Sequence, residues 1–223
     1  PLTRRLAGHH QEDKLRNIAV WGYHSNIGWR DDLNGSSDKS RALLMSHDTG
    51  WIWVLPISHE LTSVGFVTSI DAYQAEDVDD REAWYRSKLA SLPEGADLFA
   101  EAELVDYRGD GKLVHQIKEF SYACDRIWGP GWVLAGDSSG FVDAILSIGC
   151  FLAQHHAQFL SYALASVLDG DVEERVALNS YETTVKEGVE SFRAVAHMLY
   201  AFNSQTTDWW RECSTVLRES MLV

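Results

Sequence analysis

The first half of the chain carries short apolar and aromatic stretches bounded by turn residues, and the second half carries apolar residues at helical spacing, so a sheet followed by helices is expected. Residues 18–23 (Ile-Ala-Val-Trp-Gly-Tyr) read as a strand. Residues 31–39, with Asn34-Gly35-Ser36-Ser37, read as a loop. Residues 42–45 and 51–55, separated by His47-Asp48-Thr49-Gly50, read as a hairpin, and 63–70 as a third strand. Between 78 and 92, Trp84, Tyr85, Lys88 and Leu89 fit an amphipathic helix bounded by Pro93. A further helix is expected around 97–104 and a short strand at 118–123. Residues 172–207 have helical rhythm, with Val185, Val189, Phe192, Val195, Ala196 and Leu199 forming a stripe.

One segment breaks these simple periods. Gly131-Trp132-Val133-Leu134-Ala135 reads as an apolar strand that runs into Gly136-Asp137-Ser138-Ser139-Gly140, and residues 150–168 read as a buried helix. Glycine at such a bend lets the backbone come close to another group. The start of the following helix, at 147–149, leaves amide groups unpaired and partly positive, which suits an anion or an electron-rich ring edge. A Gly-Asp pair alone reads better as a tight strand-to-helix connection inside a core, the aspartate capping the turn at Gly140.

The chain has 223 residues, 45% of them hydrophobic and 23% charged, enough to build a core without disulfides. Its three cysteines, Cys124, Cys150 and Cys213, lack the spacing of a zinc site and point to a reducing compartment, the cytoplasm, with no structural metal. A formal net charge of −14 disfavours nucleic acid. The polar run Gln154, His155, His156 and Gln158 argues against a membrane span. Adjacent His155 and His156 lie on different flanks of a helix, which reads as packing or solvent exposure rather than a shared metal. His9, His10 and His47 lack a nucleophile motif for a hydrolytic triad.

The 131–149 segment resembles the second flavin-contacting motif of FAD-dependent aromatic hydroxylases, especially flavin-dependent halogenases. Trp51-Ile52-Trp53-Val54-Leu55-Pro56 is similar to the Trp-x-Trp-x-Ile-Pro signature of halogenases, with Leu55 in place of Ile. The two motifs stand in the family's order, and the likeness covers roughly residues 17–200. The resemblance implies an α+β fold, part of a PHBH-like FAD-dependent monooxygenase fold. It would be divided into a substrate-side sheet with helices (1–128), a flavin-contacting strand, loop and helix (129–168) and a helical C-terminal region (169–223). No Gly-x-Gly-x-x-Gly fingerprint occurs, and residues 2–6 resemble sequence that follows an internal strand of the nucleotide domain, so a C-terminal portion without the N-terminal nucleotide-binding half is expected.

By the same resemblance, FAD would be contacted by Gly136, Asp137, Phe141, Ser147 and Gly149, with Asp137 accepting a ribityl or ribose hydroxyl. Chloride would sit on the backbone amides of Ile148 and Gly149. Trp51, Trp53 and Pro56 form the signature; on a strand the two indoles share a face and would wall the flavin from the substrate, or serve as core aromatics. Leu146 stands where tryptophan halogenases carry a catalytic glutamate, and leucine moves no proton, so phenol or pyrrole is expected rather than tryptophan. Ala144 replaces the usual proline after Asp143, which frees the backbone.

The implied mechanism is that reduced flavin reacts with oxygen to a hydroperoxide, chloride attacks it, and hypohalous acid reaches a lysine expected in the N-terminal half. A separate flavin reductase would supply the reduced FAD. The aromatic substrate would be free or tethered to a carrier protein. A ring hydroxylase, and a cofactor-deficient binding or carrier-docking module, are the alternatives.

Overall fold

The computed structural model describes residues 7–11, 15–28, 42–92 and 95–203. Along the chain run strands β1 (His9–Gln11), β2 (Asn17–Ser25), β3 (Leu43–His47), β4 (Gly50–Pro56) and β5 (Thr62–Ser69), then helices α1 (Ile70–Ala75), α2 (Arg81–Ala90) and α3 (Gly95–Leu98). Strands β6 (Glu103–Val105), β7 (Val114–Lys118), β8 (Tyr122–Cys124), β9 (Trp128–Gly129), β10 (Trp132–Val133) and β11 (Gly140–Phe141) follow, and helices α4 (Gly149–Leu168) and α5 (Glu174–Asn203) close the described chain. Two compact units result, one of residues 17–118 and one formed by the N-terminal residues to Arg16 together with 119–200.

The first unit is a six-stranded antiparallel sheet, with β3, β4, β5 and β2 in order and both β6 and β7 on the far edge of β2. Period-two alternation divides its residues between two faces. Ile18, Val20, Ile52, Val54, Val64 and Phe66 form one face and are buried against Trp84, Tyr85 and Leu89 of α2 and against Ile70, Leu92 and Leu98. Helix α2 starts where Asp80 accepts the amides of Glu82 and Ala83, and α1 where Ser69 caps Ala72. Glu76 ties the two helices together, accepting Trp84 Nε1 at 2.8 Å and Lys88 Nζ at 2.7 Å.

The opposite face is aromatic. Cross-strand register lines up Leu44, Trp53, Gly65, Trp21 and His115 in one row across five strands. Gly65 is required there because a Cβ would lie 2.1 Å from Trp53 Cζ2, so the indole lies directly over the backbone. Trp51 and Trp53 share this face with ring centroids 5.8 Å apart, as the alternation predicts.

The expected hairpin and third strand are present. The region expected to be helical around 97–104 is instead the single turn α3 followed by β6, because Gly28 N–H binds Leu98 O and holds the chain there. The strand expected at 118–123 is two strands, β7 and β8, separated at Glu119, whose φ of 49° cannot continue a strand. The loop expected at 31–39 and the residues 2–6 and 204–207 lie outside the described residues, as does Cys213.

In the second unit, β8 is flanked by β1 and β11 in an antiparallel three-stranded sheet. The strand expected at 131–135 is shorter, a two-stranded hairpin of β9 and β10 closed by Pro130-Gly131, with Gly131 at φ 76° as the turn requires. Helix α4, expected to be buried, is buried only at Leu152 and His156. Phe159, Leu160 and Ala163 are half-buried, and Leu164 and Leu168 are exposed. On α5, Tyr181, Val185, Val189 and Ala196 form the buried stripe, whereas Val195 is exposed. Among the described residues no helix is long and apolar enough to cross a membrane.

Candidate functional site

The bend after β10 is built almost entirely by hydrogen bonds from side chains to the backbone. Ala135 is extended, Gly136 turns into the left-handed region at φ 57°, and Gly136–Ser138 forms one 3₁₀ turn. Ser138 Oγ accepts Ala135 N–H at 3.1 Å and donates to Ala135 O at 2.7 Å. Ser139 Oγ donates to Gly136 O at 2.7 Å. Tyr122 donates to the carbonyl of Asp137, and Tyr181 donates to Leu134 O at 2.8 Å. Burial raises the phenol of Tyr181 to about 12, and that of Tyr122 is raised by burial and by the Asp137 carboxylate. Both therefore stay protonated donors at neutral pH.

A second turn follows β11. Asp143, 3% exposed, accepts Ile145 N–H at 2.9 Å and the Tyr200 hydroxyl at 3.0 Å, and so starts the 3₁₀ turn Ala144–Leu146. Ser147 then takes a left-handed conformation, φ 50°, which redirects the chain into α4. Ile148 caps that helix without a side-chain hydrogen bond. The first amides of α4 therefore have no partner within the helix, and they sit at the positive end of its dipole.

The two turns and the helix start enclose a hollow lined by Gly136, Asp137, Gly140, Phe141, Val142, Asp143, Ile148, Gly149 and Leu152. The room inside it for the centre of a water-sized sphere is about 10 Å³, enough for one water. Of the expected flavin and halide residues, Gly136, Asp137, Phe141, Ile148 and Gly149 are brought together here, while Ser147 lies beside the lining and exposed. Trp51, Trp53 and Pro56 lie in the other unit, on β4. Leu146 is half-buried and packs with Ile145 against Leu15, Val142, Val189 and Ala196.

Sequence reasoning missed the residues that hold the hollow in shape. The main one is His156, 2% exposed, whose Nδ1 accepts Gly136 N–H at 3.1 Å. Its position relative to Gly149, Leu152 and Ala153 was the available signal, since these fall at i, i+3, i+4 and i+7 on one helix face. Burial, then the neighbouring His155, lowers the His156 pKa, against an opposing effect of Asp137. His155 is exposed and stacks on Phe151 at 5.3 Å. His47 is accounted for by Ser91 Oγ, 3.0 Å from Nε2, and by Thr49 N–H.

A sequence profile described as tryptophan halogenase matches residues 34–222. The chain belongs to the tryptophan halogenase family. It is similar to the flavin-dependent halogenase ptaM of Pestalotiopsis fici, with 30% identity over 85% of this chain and 35% of that protein. It is also similar to the 1H-pyrrole-2-carbonyl-[peptidyl-carrier protein] chlorinase of Pseudomonas fluorescens, with 22% identity over 91% of this chain and 44% of that one. Among solved structures, the myxobacterial chondrochloren halogenase CndH shares the fold, with a TM-score of 0.78 and 23% identity over 98% of this chain and 51% of that chain. This halogenase-family chain thus spans about half or less of each of these three proteins.

Proposed function

We propose that this chain forms the substrate-side and flavin-contacting part of an FAD-dependent halogenase that chlorinates an electron-rich aromatic ring, a phenol or a pyrrole. The fold would be the PHBH-like monooxygenase arrangement, and the protein would work in the cytoplasm, where thiols stay reduced. The observation that supports the reading most is the hollow, which gathers all the expected flavin and halide residues except Ser147 beside uncapped helix amides.

The residues present fit a flavin edge. A Cβ at Gly149 would meet only Asp137 Oδ1, at 3.8 Å, so glycine keeps that space open. Asp137 is exposed and offers a carboxylate to a ribityl hydroxyl. When bound, reduced FAD supplies the oxygen activation that oxidises the halide. The chain's own residues orient and select. The amides of Ile148 and Gly149 hold a halide against the helix dipole. Asp143 is already occupied by Ile145 and Tyr200. Asp137 lines the same hollow, and its carboxylate accepts a hydroxyl of the ribityl chain. The Leu146 cluster is why the reading favours a phenol or pyrrole over tryptophan, which would call for a carboxylate at that position.

The test uses the full-length protein with FAD, a separate flavin reductase and phenol or pyrrole substrates, both free and carrier-tethered. A product with the chlorine isotope pair, formed only when chloride is present, is the expected result. An oxygenated product formed equally without chloride would replace the reading with a ring hydroxylase. Absence of flavin uptake would leave a binding module.

A further inference from the structure

We propose that His156 is a positioning residue: by accepting the Gly136 amide at Nδ1, it fixes the left-handed bend that presents Asp137 to the hollow. The inference rests on the flavin reading of that hollow. Glycine populates left- and right-handed backbone almost equally, so a bend made by Gly136 needs an external constraint to stay in one basin. Beside the bonds from Ser139 to Gly136 O and from Tyr122 to Asp137 O, two contacts from α4 supply it. Ala153 Cβ lies 3.2 Å from where a Gly136 Cβ would be, closing the space behind the bend, and His156 Nδ1 lies 3.1 Å from the Gly136 nitrogen.

Both contacts come from the same helix face whose first turn offers the amides at Gly149 and whose Leu152 lines the hollow. The distance from Gly149 to His156 is about 10 Å of rigid helix. One element therefore sets both walls of the site, the amide wall directly and the Asp137 wall through the histidine. Ser139 Oγ, 3.5 Å from Nδ1, donates instead to Gly136 O at 2.7 Å and does not compete for the lone pair.

The bond dictates the protonation state. Nδ1 accepts, so the ring is neutral with its proton on Nε2, and a proton added at Nδ1 displaces the Gly136 amide. The titratable groups whose charge reaches the ring are Asp137 on the bend and His155, its neighbour on the helix. Acid therefore releases the bend at its latch.

The experiment titrates the full-length protein with FAD, following flavin absorbance, for the wild type, His156→Leu and His156→Asn. Leucine has no acceptor, and asparagine places Oδ1 where Nδ1 was. His156→Leu is expected to weaken FAD binding about tenfold, the scale of one buried amide left unsatisfied. His156→Asn is expected to restore it to within about threefold. Wild-type affinity should also fall in acid with a one-proton step that the asparagine variant lacks. If the leucine variant does not fold, that pH step in wild type against asparagine decides. Equal affinity in all three proteins, or an identical acid step in wild type and asparagine, overturns the role of His156. A wild type that takes up no flavin at any pH overturns the flavin reading itself.

Discussion

The sheet of residues 17–118 and the bend-and-helix unit of residues 119–200 are held by different physics. In the sheet, one face of alternating aliphatics is covered by α2, and its backbone polar groups are satisfied by the ladders of five neighbouring strand pairings. Stability there is a matter of area and volume. Around Gly136 the regular strands are two residues long, and the backbone is satisfied by Ser138, Ser139, Tyr122, Tyr181 and His156 one group at a time. Stability there depends on individual hydrogen bonds, and shape at the hollow depends on them too. A scaffold can tolerate small repacking, whereas a site built from single hydrogen bonds changes geometry when one is lost.

The largest expected effect is on the sheet. Phe66 is fully buried, packs edge-to-face on Trp84 at 5.4 Å and touches His47 at 5.0 Å. Phe66→Ala should cost about 3–5 kcal/mol, read by denaturant unfolding of the full-length protein. A loss under about 1 kcal/mol would show that the site collapses around the void and that volume does not govern this unit.

That contrast also decides what the sequence could reveal. The hairpin of β3 and β4 and the strand β5 were legible because period two repeats over several residues and agrees with the turn at Asp48-Thr49. The boundaries at Glu119 and Leu98 were not, because a left-handed residue and a single backbone hydrogen bond leave no periodic trace. The glycine bend was legible as Gly-Asp-x-x-Gly. Its latch was not, because His156 lies 20 residues from Gly136 and looked like a polar interruption of an apolar helix. The apolar residues at helical spacing made α4 read as a buried helix, whereas only Leu152 and His156 are buried.

The next effect sharpens the comparison from within the sheet, at a buried polar pair. Tyr85 Oη donates to Val64 O at 2.8 Å, so His24 Nε2, 2.9 Å away, must be the donor in their pair. Its Nδ1 is buried without a partner. Burial and the Arg86 cation pull the His24 pKa from 6.5 down to about 4. The folded state thus refuses a proton that the unfolded chain accepts, and stability falls as pH drops from about 6.5 to about 4. The full loss is about 3 kcal/mol. His24→Gln keeps a donor for Tyr85 and does not titrate, so the difference in unfolding free energy between wild type and variant should shrink or reverse across that window. A difference independent of pH would mean that the sheet's acid sensitivity lies elsewhere.

The smallest effect tests whether the irregular unit can be stiffened without disturbing the hollow. Asp143 already has the extended backbone, φ −164° and ψ 151°, that a residue before proline adopts. Ala144 is the first residue of the 3₁₀ turn, where an N–H has no acceptor within the turn and proline is tolerated. Ala144→Pro therefore removes freedom from the unfolded chain and leaves the Asp143 bonds to Ile145 and Tyr200 in place. The expected gain is about 0.4–1 kcal/mol, or roughly 1–4 °C in melting temperature, with FAD affinity unchanged or slightly tighter. A lower melting temperature would show that the turn is strained in a way its dihedral angles do not reveal. A higher one with weaker FAD binding would show that the hollow needs the looseness alanine allows, which would separate the demands of stability from those of the site within a few residues of each other.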